Sequence, residues 1–76
     1  MSFIGSEDKN MKVITAVKKY LNTNREIFLE SLSNGAIISV NKDKDFYSEF
    51  GDIIADAKVR RINDVEDPDA VTIYIV

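Results

Sequence analysis

Residues 25–41, REIFLESLSNGAIISVN, can be read as a helix or as a hairpin, and the choice sets the fold. TNRE at 23–26 has the form of a capping box, and Gly35 is placed to close a helix. Against this, SNGA at 33–36 contains an Asn-Gly pair, a strong hairpin signal, flanked by β-branched and apolar residues. A two-residue turn at Asn34–Gly35 would pair Ser31 with Ile38 and Leu29 with Val40. That register collects Ile27, Leu29, Ile38 and Val40 on one face and leaves Phe28, Leu32 and Ile37 on the other, beside Glu30 and Ser39. The coherent apolar face favours the hairpin.

On the N-terminal side, residues 7–22, EDKNMKVITAVKKYLN, have the period of an amphipathic helix. Val13, Ile14, Val17, Tyr20 and Leu21 share one side, while Lys12, Thr15, Lys18 and Lys19 face away. Ser6 is the expected N-cap, with Glu7 and Asp8 in the first turn and a flexible arm over 1–6. On the other side, residues 45–57 predict a second helix with Phe46, Phe50, Ile53, Ile54 and Ala57 as its apolar stripe. Gly51 lies in its interior, at a cost of about 1 kcal/mol relative to Ala. KVRRIN at 58–63 and AVTIYIV at 70–76 predict strands, joined by DVEDPD, whose Pro68 ends the pairing. In the last strand Val71, Ile73 and Ile75 face one way, and Thr72, Tyr74 and Val76 the other.

The resulting order is α-β-β-α-β-β in a single α+β domain over residues 1–76. The expected architecture is one antiparallel sheet with two helices packed on one face. The helix-plus-hairpin unit occurs twice, without residue-level identity between the halves. The uncovered face would keep Phe28, Leu32, Ile37, Tyr74 and Val76, an apolar patch of the kind that marks an interface. A chain of 76 residues buries only about 60% of its unfolded surface. With no Cys and no His, disulfides and the commonest soft metal ligands are missing, which leaves oligomerisation as the remaining support. A homodimer through that patch is therefore expected.

The same composition argues against an enzyme. His and Cys carry most general acid–base and nucleophilic chemistry, and both are absent. The three glycines stand isolated at 5, 35 and 51, so there is no phosphate-cradling loop, and no cofactor is implied. NKDKDFYSEFGD at 41–52 puts Asn41, Asp43, Asp45, Glu49 and Asp52 at spacings reminiscent of a calcium loop. Phe46 occupies the position that requires Gly, and Asp52 replaces the bidentate Glu, so a helix N-terminus explains the segment better. The N-terminus lacks a basic region followed by an apolar run, and no stretch approaches the ~20 apolar residues of a membrane span. The cytoplasm is the expected location.

Charge is the most informative global feature. Residues 1–44 hold seven Lys/Arg against five Asp/Glu, a balance of +2; residues 45–76 hold three against eight, a balance of −5. Within DFYSEFGDIIAD at 45–56, Asp45, Glu49, Asp52 and Asp56 follow at steps of four, three and four. On a continuous helix they would form one row roughly 16 Å long. Like charges at these spacings repel by roughly 0.2–0.5 kcal/mol per pair. The row is either the wet face of a helix or an electrostatic contact surface, reinforced by Asp64, Glu66, Asp67 and Asp69 in the turn. Such a surface would attract the basic cleft of a DNA-associated protein.

In size, acidity and suspected dimerisation, the chain resembles the small acidic DNA-mimic inhibitors that phages encode against host replication, restriction or nucleoid proteins. The resemblance implies a non-enzymatic inhibitor in host takeover, acting by protein–protein interaction through the acidic residues named above. Two alternatives belong to other classes. One is a nucleic-acid-binding or transcription-regulating module using Lys9, Lys12, Lys18 and Lys19 with Arg60 and Arg61. It is disfavoured because the molecule is acidic overall and no aromatic platform interleaves with these cations. The other is a structural subunit docking its apolar sheet face on a larger assembly.

Overall fold

The computed structural model describes residues 11–75. Its elements are helix α1 (Val13–Tyr20), strands β1 (Glu26–Ser31) and β2 (Ile37–Ser39), helix α2 (Phe46–Ala55), and strands β3 (Arg61–Asn63) and β4 (Ala70–Ile75). The expected α-β-β-α-β-β order is present, and residues 25–41 form the hairpin. The expected N-terminal arm, and the Ser6 cap with Glu7 and Asp8, lie outside the described residues.

α1 begins later than its periodicity suggests. Lys12 is extended and occupies the N-cap position without a side-chain cap. Met11 and Lys12 are instead held beside the chain that leaves α2: Val59 N–H donates to Met11 O, and Lys12 bridges to Lys58. Val13 N–H donates to Ala57 O at 2.9 Å, which gives one of the orphan donors of the first turn a partner. Val13, Ile14, Ala16 and Val17 form the buried side of α1.

The sheet runs β2-β1-β4-β3 and is mixed, which corrects the all-antiparallel expectation. Both hairpins are antiparallel, but the central β1–β4 pair is parallel, with Ile27 opposite Val71 and Leu29 opposite Ile73. The reason lies in the strands. β4 alternates Val71, Ile73 and Ile75, all buried, with half-buried residues, and such a strand belongs inside a sheet. β3 is short and starts at exposed Arg61, as an edge strand does. α2 therefore carries the chain from the β2 edge to the far β3 edge, and β4 returns beside β1 in the same direction. The inner strand is the first of one hairpin and the second of the other, so the two halves do not occupy equivalent places.

The hairpin register differs by two residues from the expected one. Leu29 pairs with Ile38 and Glu30 with Ile37. The turn is longer than Asn34–Gly35: Ser31 N–H donates to Ala36 O, Gly35 N–H donates to Ser31 O, and Gly35 adopts a φ of 74°. A shift of two preserves which face each side chain takes, so Ile27, Leu29 and Val40 reach the core as expected.

One cluster of buried residues joins both helices to one face of the sheet, with Val13, Val17, Ile27, Val59, Val71 and Ile73 nearly inaccessible. Among the described residues no polar or charged side chain is buried. Phe46 and Phe50 touch with ring centroids 4.7 Å apart. Among the described residues no helix covers the other face of the sheet. Ile37, Glu30, Tyr74 and Arg61 follow one another across it, as do Ser39, Phe28, Thr72 and Asn63.

Candidate functional site

The acidic residues depend on α2, and α2 is not one helix. Gly51, at φ 86° and ψ 171°, breaks it into two short segments. These angles lie in the mirror of the β region, which glycine alone visits readily. The 4-3-4 spacing of Asp45, Glu49, Asp52 and Asp56 therefore does not make a continuous row, because the helical phase is lost between Glu49 and Asp52. The same break explains Ile53, which was expected on the apolar stripe and is 87% exposed.

All four carboxylates are exposed, but they do different things. Asp45 is the N-cap of α2: its Oδ2 accepts from Ser48 N–H at 3.0 Å and from Ser48 Oγ at 3.2 Å. Asp56 lies at the other end, 3.7 Å from Lys12 Nζ. The carboxylates of Glu49 and Asp52 have no hydrogen-bond or ion-pair partner among the described residues. No Lys or Arg occurs between Asp45 and Ala57.

The turn acids reach the same end of the sheet as the start of α2, and the segment 23–26 ties them there. Lys42, in the loop before α2, donates to Thr23 O at 2.7 Å. Arg25 donates through one guanidinium nitrogen to Asp64 O, to Asp67 O at 2.8 Å and to Ala70 O at 3.1 Å. Glu26 N–H donates to Asp69 O. The loops 41–45 and 64–69 thus lie at one end of the sheet, the first following edge strand β2 and the second joining β3 to β4.

Arg25 and Lys42 bind backbone carbonyls rather than carboxylates, and Lys44, in the loop before α2, is exposed. Among the described residues the one ion pair is Lys12–Asp56, at the opposite end. Three turn acids accept hydrogen bonds within the chain: Asp64 from Tyr20 Oη, Glu66 from Asn63 Nδ2, and Asp67 from Asp69 N–H. The Asp69 carboxylate has no such partner among the described residues. Sequence reasoning found the acids but missed Arg25. Its contacts are 39 to 45 residues away in the chain, and no local pattern signals them.

Of the expected dimer residues, Phe28, Ile37 and Tyr74 lie on the face of the sheet turned away from the buried cluster, with charged side chains among them. Leu32 and Ile37 are exposed, Phe28 and Tyr74 are half-buried, and Val76 lies outside the described residues. Glu30 stands between Ile37 and Tyr74 across the strands, and the Arg61 guanidinium covers the Tyr74 ring at 4.5 Å. Of the lysines proposed for nucleic acid, Lys12, Lys18 and Lys19 are exposed, and Lys9 lies outside the described residues. Among the described residues no group of three or more acidic side chains is arranged to hold a metal. No helix there is long and apolar enough to cross a membrane. No family model, curated protein or solved structure matches this chain.

Proposed function

We propose that this chain is a non-enzymatic binding protein that occupies the basic surface of a DNA-associated partner and so competes with DNA for it. One observation carries the reading: no carboxylate of the loops 41–45 and 64–69 is in a direct ion pair among the described residues, and of the cations at this end Arg25 and Lys42 are engaged by backbone carbonyls while Lys44 is exposed, which leaves six carboxylates against three cations. Paired surface charges present little field to a partner, whereas unpaired ones of one sign attract the opposite charge over about a Debye length. Glu49 and Asp69, whose carboxylates accept no hydrogen bond among the described residues, are placed to contact a partner.

The test is displacement. The tagged chain is incubated with a bacterial lysate at low salt, and proteins released by high salt are identified and purified. A retained DNA-binding protein whose DNA complex is dissociated by the chain, and much less by Glu49→Lys/Asp69→Lys, is the expected result. Equal displacement by the variant, or no salt-sensitive retention, overturns the proposal.

A further inference from the structure

We infer that the outer edge of β2, which no strand pairs among the described residues, is a strand-addition site for an extended segment of a partner protein, with an apolar residue at its centre and basic residues two positions to either side. The inference deepens the function proposed above and rests on it for the charge of the partner.

Backbone geometry fixes the conformation of the occupant. In the β1–β2 ladder, Val40 N–H donates to Ile27 O and Ser31 N–H donates to Ala36 O. Bonded and non-bonded pairs alternate along an antiparallel ladder, so Leu29–Ile38 is a bonded pair, while Phe28–Ser39 and Glu30–Ile37 are not. The N–H and C=O groups of Ile37 and Ser39 therefore point away from β1, off the edge of the sheet. A strand laid against this edge would meet two donors and two acceptors at the spacing of its own backbone.

The surroundings of the edge fix the side chains. On the helix-covered face Ile38, 49% exposed, borders a cleft of about 240 Å³ whose other walls include Leu29, Phe50, Ile54 and Ile75. An aliphatic side chain opposite Ile38 would pack against it at the rim of this cleft. Its α2 wall belongs to a helix that carries Glu49 and Asp52 with no Lys or Arg. Residues two positions from the centre of the added strand lie about 7 Å along the same face, within reach of that helix. Cations there meet carboxylates that have no partner among the described residues. A second copy of this chain is the poorer occupant. Pairing β2 with β2 about Ile38 would bring the same acidic helix to both sides of the edge, and like charges would oppose the contact.

The probe is the synthetic peptide acetyl-Thr-Lys-Thr-Val-Thr-Lys-Thr-amide, with a control in which both lysines are glutamate. Binding is followed by amide chemical shifts and hydrogen exchange of the full chain. The expected result is salt-sensitive binding of the lysine peptide that slows exchange at Ile37 and Ser39, with no binding of the glutamate peptide. Ser39→Pro removes an outward N–H without touching the β1 ladder, so it is expected to leave thermal stability nearly unchanged and weaken the peptide roughly fivefold to tenfold. Failure of the lysine peptide to bind overturns the inference. So does equal binding by Ser39→Pro, equal binding of the glutamate peptide, or a dimer in the absence of peptide that Ser39→Pro dissolves. If Ser39→Pro still displaces DNA from a captured partner while Glu49→Lys/Asp69→Lys does not, strand addition is overturned and the acidic reading stands.

Discussion

At the scale of single residues, Gly51 and Arg25 hold most of what the sequence pattern leaves out. Gly51 sits inside an apolar periodicity that reads as unbroken helix, yet its φ of 86° ends one helical segment and begins another. The two readings give opposite signs for Gly51→Ala. In a continuous helix the substitution would stabilise by about 1 kcal/mol. At this φ and ψ it is expected to destabilise by about 1–3 kcal/mol. A Cβ there would meet nothing within 4 Å, so the change measured in urea unfolding reports backbone strain alone. Arg25 is the opposite case, a polar residue with no pattern of its own. Its guanidinium bonds three carbonyls of the β3–β4 connection, and its Nε is buried without a partner. Arg25→Met is expected to cost about 2–3 kcal/mol and to speed amide exchange across 64–70. Arg25→Lys, which keeps the charge but lacks the planar fork, should restore only part of that loss.

At the scale of elements, alternation was legible and connection was not. The faces of β1 and β4 follow directly from Ile27, Leu29, Val71, Ile73 and Ile75, because a side-chain period of two is a local property. The hairpin register was offset by two because the turn is built on Ser31–Ala36 rather than on Asn34–Gly35 alone. Face parity survived the error because two is an even number of residues. Which strand of the second hairpin lies inside is a different kind of fact. It depends on β4 being the more buriable strand, and only comparison of RRIN with AVTIYI hints at that. The N-cap of α2 was legible, since Asp45 directly precedes the apolar stripe and accepts from Ser48 N–H. Asp45→Ala is expected to lower stability by about 1 kcal/mol, with Asp45→Asn or Asp45→Ser recovering most of it in the same unfolding assay. Of the candidate site, the acids were found by counting, but their division into structural acceptors (Asp45, Asp64, Glu66 and Asp67) and unpartnered carboxylates (Glu49, Asp52 and Asp69) required the fold.

At the scale of the whole molecule, the uneven charge has consequences of opposite sign for folding and for binding. The loops 41–45 and 64–69 bring Asp43, Asp45, Asp64, Glu66, Asp67 and Asp69 to one end of the sheet, with Lys42, Lys44 and Arg25 beside them, an excess of three negative charges. Folding therefore gathers like charges that the unfolded chain keeps farther apart. The resulting repulsion is screened as the Debye length falls from about 30 Å at 0.01 M salt to about 8 Å at 0.15 M. Thermal stability is accordingly expected to rise modestly over this range. Association with a basic partner is driven by the same field, so its rate should fall on the order of tenfold or more over the same interval. Melting curves and association rates recorded in one salt series check both signs together. A partner complex that weakens while the free chain becomes more stable locates the salt effect in the contact. If both weakened together, salt would be acting on the fold, and the acidic end would be no more than a solvated surface.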